Sequence, residues 1–319
     1  SIFALKNAEL NFKLHETETV VESTLLFEKT QVSAQVADDL VLNGENLHLV
    51  QIQLNGDVLS ENQYAVENDT LVIFAVPSKF VLETVVRIDP QNNKTLNGLY
   101  LSNGNFTTQC EPHGFRCITY FLDRPDVLTN FTVKITADKE KYPVLLSNGN
   151  LMGSGDLDDG QHWVLWQDPT LKPCYLFALV AGGFECASSK FVTMSNKEVD
   201  LKVYVEKGKL DQAEFALDAL RRAMLWDEQV YQREYELDIY MIVAVADFNF
   251  GAMENKGLNI FNDQYVLANS ALATDQDYTN VLGVVGHEYF HNWSGNRVTC
   301  RDWFQLSLKE GLTIFRDQS

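Results

Sequence analysis

The chain has 319 residues, 45% of them hydrophobic and 22% charged, a balance that can build two globular domains, each with its own core. Its formal net charge of −19 speaks against nucleic acid and anionic lipid as partners, because both attract basic surfaces. No apolar run approaches the roughly eighteen residues of a membrane span. The opening Ser1-Ile2-Phe3-Ala4-Leu5-Lys6 lacks the basic start, long apolar stretch and cleavage site of a leader, so a cytoplasmic location and no membrane partner are expected. The acidity serves either solubility or the attraction of cationic peptides.

Residues 1–187 read as β. Alternating and β-branched segments recur, such as Val50–Leu54 and Thr70–Phe74. They are punctuated by Asn43-Gly44, Asn55-Gly56, Asn97-Gly98, Asn103-Gly104 and Asn148-Gly149, dipeptides that tolerate the positive φ of tight hairpins. An antiparallel sandwich or curved sheet is expected. Cys110, Cys117, Cys174, Cys186 and Cys300 form an odd set with no C-x-x-C spacing, which suggests buried thiols rather than a disulfide framework.

Near Ala187–Lys190 the pattern changes, and residues 188–319 read as α+β. A strand pair over Lys190–Val205 leads to a helix from about Asp211, with Leu217, Leu220, Met224 and Tyr231 on one side. The apolar run Leu237–Val245 predicts a buried strand, and Leu258–Leu267 another. Helices are expected over Asp275–Trp293 and Asp302–Gln318.

The first of these two helices carries His287-Glu288-Tyr289-Phe290-His291. Histidines four apart project from one helical face, so their imidazoles can share one Zn²⁺ while Glu288 reaches a water on it. Glu310 follows His291 after eighteen residues and is the expected third ligand. Phe304, Leu308, Leu312 and Phe315 form an apolar stripe beside it, which predicts that this helix packs inward and that metal compensates a buried carboxylate. Lys309 next to it keeps the alternative of an exposed Glu310 open. Asp317, two turns on, either orients a zinc histidine or is a solvated acid.

Together with Gly251-Ala252-Met253-Glu254-Asn255, the zinc motif resembles the aminopeptidase N family of zinc metallopeptidases. The stretches Tyr120–Asp126, Lys172–Val180 and Trp303–Thr313 extend the resemblance to essentially the whole chain. It implies a saddle-like N-terminal β domain followed by the first part of a thermolysin-like catalytic domain, one Zn²⁺ per chain, and peptide substrates with a free N-terminal amine. A monomer is favoured.

The resemblance also implies that Glu254 binds the substrate's α-amino group, with Glu111 and nearby Gln109 on the other side of the clamp. An α-amine with a pKa of about 8 is largely cationic at neutral pH, so carboxylates suit it. The backbone at Gly251, Ala252 and Met253 is expected to hydrogen-bond substrate like an added strand. Phe250 stands where bacterial members near this chain carry a pocket methionine. It either narrows the first pocket toward residues such as Ala or belongs to the core. Because Pro follows Glu111, a cis bond there is expected. Glu288 is the expected general base, acting on water activated by the metal. Family members continue beyond this length and carry their oxyanion-stabilising tyrosine there, so the chain is expected to be an N-terminal portion, weakly active or inactive alone. An endopeptidase of thermolysin type and a silent binding module are the alternatives.

Overall fold

The computed structural model describes residues 2–30 and 38–319. Ser1, the first residue of the stretch compared with a leader, lies outside them. Among the described residues, no helix is long and apolar enough to cross a membrane.

Thr19–Lys29 shows how the N-terminal strands form. Thr19, Val21, Ser23, Leu25 and Phe27 are buried and the residues between them half-buried, the two-residue period of a strand with one face on a core. This strand lies within an eight-stranded sheet. Its order is Asn150–Asp156, Gln161–Lys172, Thr129–Asp138, Phe3–Lys13, Thr19–Lys29, Lys79–Ile88, His48–Leu54, Asp57–Val58. Neighbours run antiparallel except Phe3–Lys13 beside Thr129–Asp138, which are parallel. The expectation of an antiparallel arrangement fails at this joint, because no hairpin links these distant segments to set their direction. A three-stranded sheet (Asp38–Asn43, Thr70–Val76, Tyr64–Glu67) and a four-stranded one (Val144–Ser147, Leu179–Gly182, Asn105–Gln109, Gly98–Ser102) share its core.

Two of the five Asn-Gly pairs are hairpin turns with positive φ at both residues: Asn55-Gly56 (53° and 87°) and Asn103-Gly104 (47° and 80°). Asn148-Gly149 is not one, since the strands either side of it belong to different sheets. Asn43 instead pairs with Phe121.

From Phe184 a five-stranded mixed sheet begins, ordered Phe184–Val192, Glu198–Glu206, Ile239–Val245, Leu258–Asn262, Ala252–Met253. The strand Phe184–Val192 runs unbroken through Ala187, where the composition changes. Met241, Val243 and Val245 join the core of the N-terminal sheets, while Tyr240, Ile242 and Ala244 join a second core against the helices. Burial of both faces explains the continuous apolar run over Leu237–Val245.

Helix α1 (Glu214–Tyr231) buries Leu217, Leu220 and Met224, but Tyr231 in its last turn is partly exposed and packs edge-on against Trp226. Helix α2 (Asp275–Phe290) starts at a capping box formed by Thr274 and Asp277. Helix α3 (Leu306–Asp317) departs from the sequence reading. Phe304, Leu308, Leu312 and Phe315 are exposed, and the inward face is Lys309, Thr313 and Arg316. Arg316 pairs with Asp227 of α1, donates to the Phe290 carbonyl at the end of α2, and lies against the rings of Tyr231 and Phe290. These charged and polar partners lie far away in sequence, so the apolar stripe pointed to the wrong face. All five cysteines are free, and Cys186 is exposed rather than buried.

Candidate active site

Helical spacing puts His287 and His291 one turn apart, His291 capping α2 with helical backbone angles. Their Nε2 atoms lie 3.0 Å apart. Glu310 Oε2, arriving from α3, is 3.4 Å from each. The other ring nitrogens are engaged: Nδ1 of His287 is 2.7 Å from Asp317 Oδ2, and Nδ1 of His291 is 2.8 Å from the Ser294 carbonyl oxygen. Thr313 Oγ1 lies 3.2 Å from the same His291 nitrogen and donates to Ser294 O. Two imidazole lone pairs and a carboxylate oxygen thus converge on one point, a donor set that could hold a metal ion.

Charge follows this geometry. Burial opposes ionisation of Glu310, yet the two imidazoles and Lys309 outweigh it and hold the carboxyl far below the usual range. Burial works against protonation of His287, but Glu310, Glu288 and Asp317 raise its pKa to about 9. Burial pushes Glu288 up to about 7, with His291 pulling it down and Glu254 adding to the rise. Glu288 Oε2 is buried and has no hydrogen-bond partner among the described residues. A carboxylate poised near 7 suits proton transfer at neutral pH.

A cavity of about 610 Å³ opens on the three metal-ligand candidates and on Glu288. Glu111 and Glu254 line one part of it. The Glu111–Pro112 bond is cis, as expected. Burial and the charge of Glu254 raise Glu111 to about 7, against the pull of Lys309. Gln109 is buried and donates to Glu111 O (3.2 Å), and its Oε1 has no partner among the described residues. Ala252–Met253 is the edge strand of the five-stranded sheet, paired on one side only, and Gly251 and Ala252 face the cavity. Phe250 also lines the cavity, 50% exposed, and is not a core residue. Met253 is buried and belongs to the hydrophobic core, its sulfur 3.7 Å from Gln109 Nε2, and it does not line the cavity.

Sequence reasoning missed several participants. Lys309, taken there as a sign of exposure, is 5% exposed and lies between Glu111, Glu254 and Glu310. Thr313 and Ser294 hold His291, and Tyr265, Thr279 and Asn280 line the cavity. Only the four-residue and three-residue steps from Lys309 to Thr313 to Arg316, a polar stripe along α3, signalled Lys309 and Thr313.

Residues 6–176 match the Peptidase M1 N-terminal domain, and residues 215–319 match the Peptidase family M1 domain. The chain is 56% identical over 316 residues to Aminopeptidase N of Caulobacter vibrioides and 54% identical over 318 residues to Aminopeptidase N of Escherichia coli K12. In each case 99% of this chain is covered but 36% of the relative, so the chain spans about a third of the length of these proteins. The crystal structure of Legionella pneumophila aminopeptidase A in complex with aspartic acid is similar with a TM-score of 0.95 and 38% identity. That match covers 99% of this chain and 37% of the other.

Proposed function

Because the chain belongs to peptidase family M1, we propose that the protein is a zinc-dependent aminopeptidase, releasing Ala and other neutral or basic residues from the N-terminus of peptides. One observation carries this reading: two carboxylates, Glu111 and Glu254, share a cavity with the convergent His287, His291 and Glu310. An endopeptidase needs the metal ligands and the base but has no use for an ammonium site beside them.

His287, His291 and Glu310 would hold the zinc ion, which supplies Lewis acidity to the scissile carbonyl and activates water. Glu288 takes a proton from the attacking water as its oxygen bonds the carbonyl carbon. When the C–N bond breaks, Glu288 returns that proton to the leaving amine. Glu254 and Glu111, assisted by the free Gln109 Oε1, hold the substrate's α-ammonium, which restricts cleavage to the first peptide bond. The exposed edge at Gly251 and Ala252 aligns the substrate backbone as an added strand, and Phe250 faces the first side chain. Asp317 orients His287. The five free thiols fit a reducing compartment, and we place the protein in the cytoplasm.

The test compares zinc-supplemented hydrolysis of alanyl anilide with that of its N-acetyl form. Cleavage of the free-amine substrate alone is expected. Equal cleavage of both would assign the metal site to an endopeptidase instead.

A further inference from the structure

The Lys309 ammonium sits among the very carboxylates assigned to the substrate's amine. Its Nζ pairs with Glu254, lies 2.9 Å from Glu111 Oε1 and 2.7 Å from Glu310 Oε1, and faces the ring of Tyr175 at 5.6 Å. Tyr175 is itself fixed, its hydroxyl 3.1 Å from the Gly295 carbonyl and 2.9 Å from Thr299 Oγ1. Anchoring of α3 does not explain this placement. Thr313 already ties the helix to His291 and Ser294, and Arg316 ties it to Asp227 and the end of α2.

We propose that Lys309 is the positioning residue of the amine site, holding Glu111 and Glu254 together and matching the site to a single cation. The inference rests on the aminopeptidase reading above. Two carboxylates facing the same cation repel each other, and without that cation between them they swing apart. When both carboxylates are ionised, they and Lys309 together carry one net negative charge, which one α-ammonium neutralises. Without it, Glu111, Glu254 and Glu310 are left mutually repelling, and the cradle that fits an ammonium is lost.

Two ligands that differ only in the amine separate this role from a general structural one. Alanine hydroxamate carries the α-ammonium and a zinc-binding hydroxamate, whereas propionohydroxamate carries the hydroxamate alone. Binding of each to the zinc-loaded protein is measured by calorimetry, so no turnover is needed. Lys309→Met is expected to weaken alanine hydroxamate by about tenfold or more, the worth of one charge-assisted hydrogen bond, and to leave propionohydroxamate within about twofold. Lys309→Gln, which is polar but lacks the positive charge that balances the two carboxylates, gives the same pattern if the methionine variant does not fold. Equal weakening of both ligands would overturn the proposal, showing that Lys309 acts through Glu310 or the fold. An unchanged affinity for alanine hydroxamate would overturn it too. If the unsubstituted protein itself binds the two ligands alike, the aminopeptidase reading fails, and the inference falls with it.

Discussion

Asp317 Oδ2 lies 2.7 Å from Nδ1 of His287, a contact that joins the last turn of α3 to the last turn of α2. Because a carboxylate only accepts, the contact keeps a ring proton on Nδ1, so Nε2 is the nitrogen that would meet a metal once its own proton leaves. Asp317→Ala is therefore expected to weaken zinc binding by about 10-fold to 100-fold. Competition with a chelator measures it. An unchanged affinity would make Asp317 a solvated acid with no part in the site.

Glu288 Oε2 has no hydrogen-bond partner among the described residues, and Glu288 stands outside the group His287, His291 and Glu310 while sharing a second possible metal group with Glu254 and His291. Glu288→Gln should retain one equivalent of zinc while kcat falls by at least about 100-fold, the usual size of general-base catalysis. Metal analysis alongside steady-state kinetics checks both halves. Near-normal turnover would mean that another group moves the proton.

In metal-free protein, His287 has its pKa raised from 6.5 to about 9, and Glu288 from 4.5 to about 7. Both groups bind protons more tightly in the folded state than in the unfolded state. The stability they contribute is complete below their unfolded values and is lost as pH rises through about 7 and then about 9. The chelator-treated protein should therefore lose thermal stability between pH 6 and pH 9, roughly the window bounded by these values. Zinc competes for the same nitrogen lone pairs, so its binding near pH 7 should release protons, and its affinity should rise with pH. Calorimetry in two buffers of different ionisation enthalpy reads the release directly. A buffer-independent heat would contradict the assignment of His287 as a protonated ligand.

Phe250 is half exposed at the cavity and meets Phe248 edge-on, with ring centroids 6.5 Å apart. A stiff ring there should disfavour large first side chains. Phe250→Met, with its adaptable thioether, is expected to raise kcat/KM for leucyl and arginyl substrates relative to alanyl by up to about tenfold. Equal turnover of all three substrates by the unsubstituted protein would remove the ring from the account of specificity.

Much of the site was legible because it is local. His287, Glu288 and His291 occupy one helical turn, and three-and-four-residue periodicity alone puts the two imidazoles together. Leu237–Val245 could be recognised as a buried strand because an unbroken apolar run needs cover on both faces, and Met241 and Ile242 indeed enter different cores. Hairpins were legible only in part: Asn55-Gly56 and Asn103-Gly104 turn the chain, but the backbone at Asn43 is committed to a distant partner, Phe121.

What the sequence by itself determined about this protein is the pattern within single turns and strands: the histidine pair on one helical face with Glu288 between them, the alternating strand faces and the family of the chain. Tertiary structure alone decided which face of α3 turns inward. Hydrophobic periodicity proposed Leu308, Leu312 and Phe315, yet Lys309, Thr313 and Arg316 are the buried ones. The reason is electrostatic. Glu111, Glu254, His291 and Asp227 come from four separate segments, and their convergence creates a buried field that only a cationic and hydrogen-bonding face can satisfy. A pattern of hydrophobicity along one helix carries no information about charges that reach it from elsewhere in the chain.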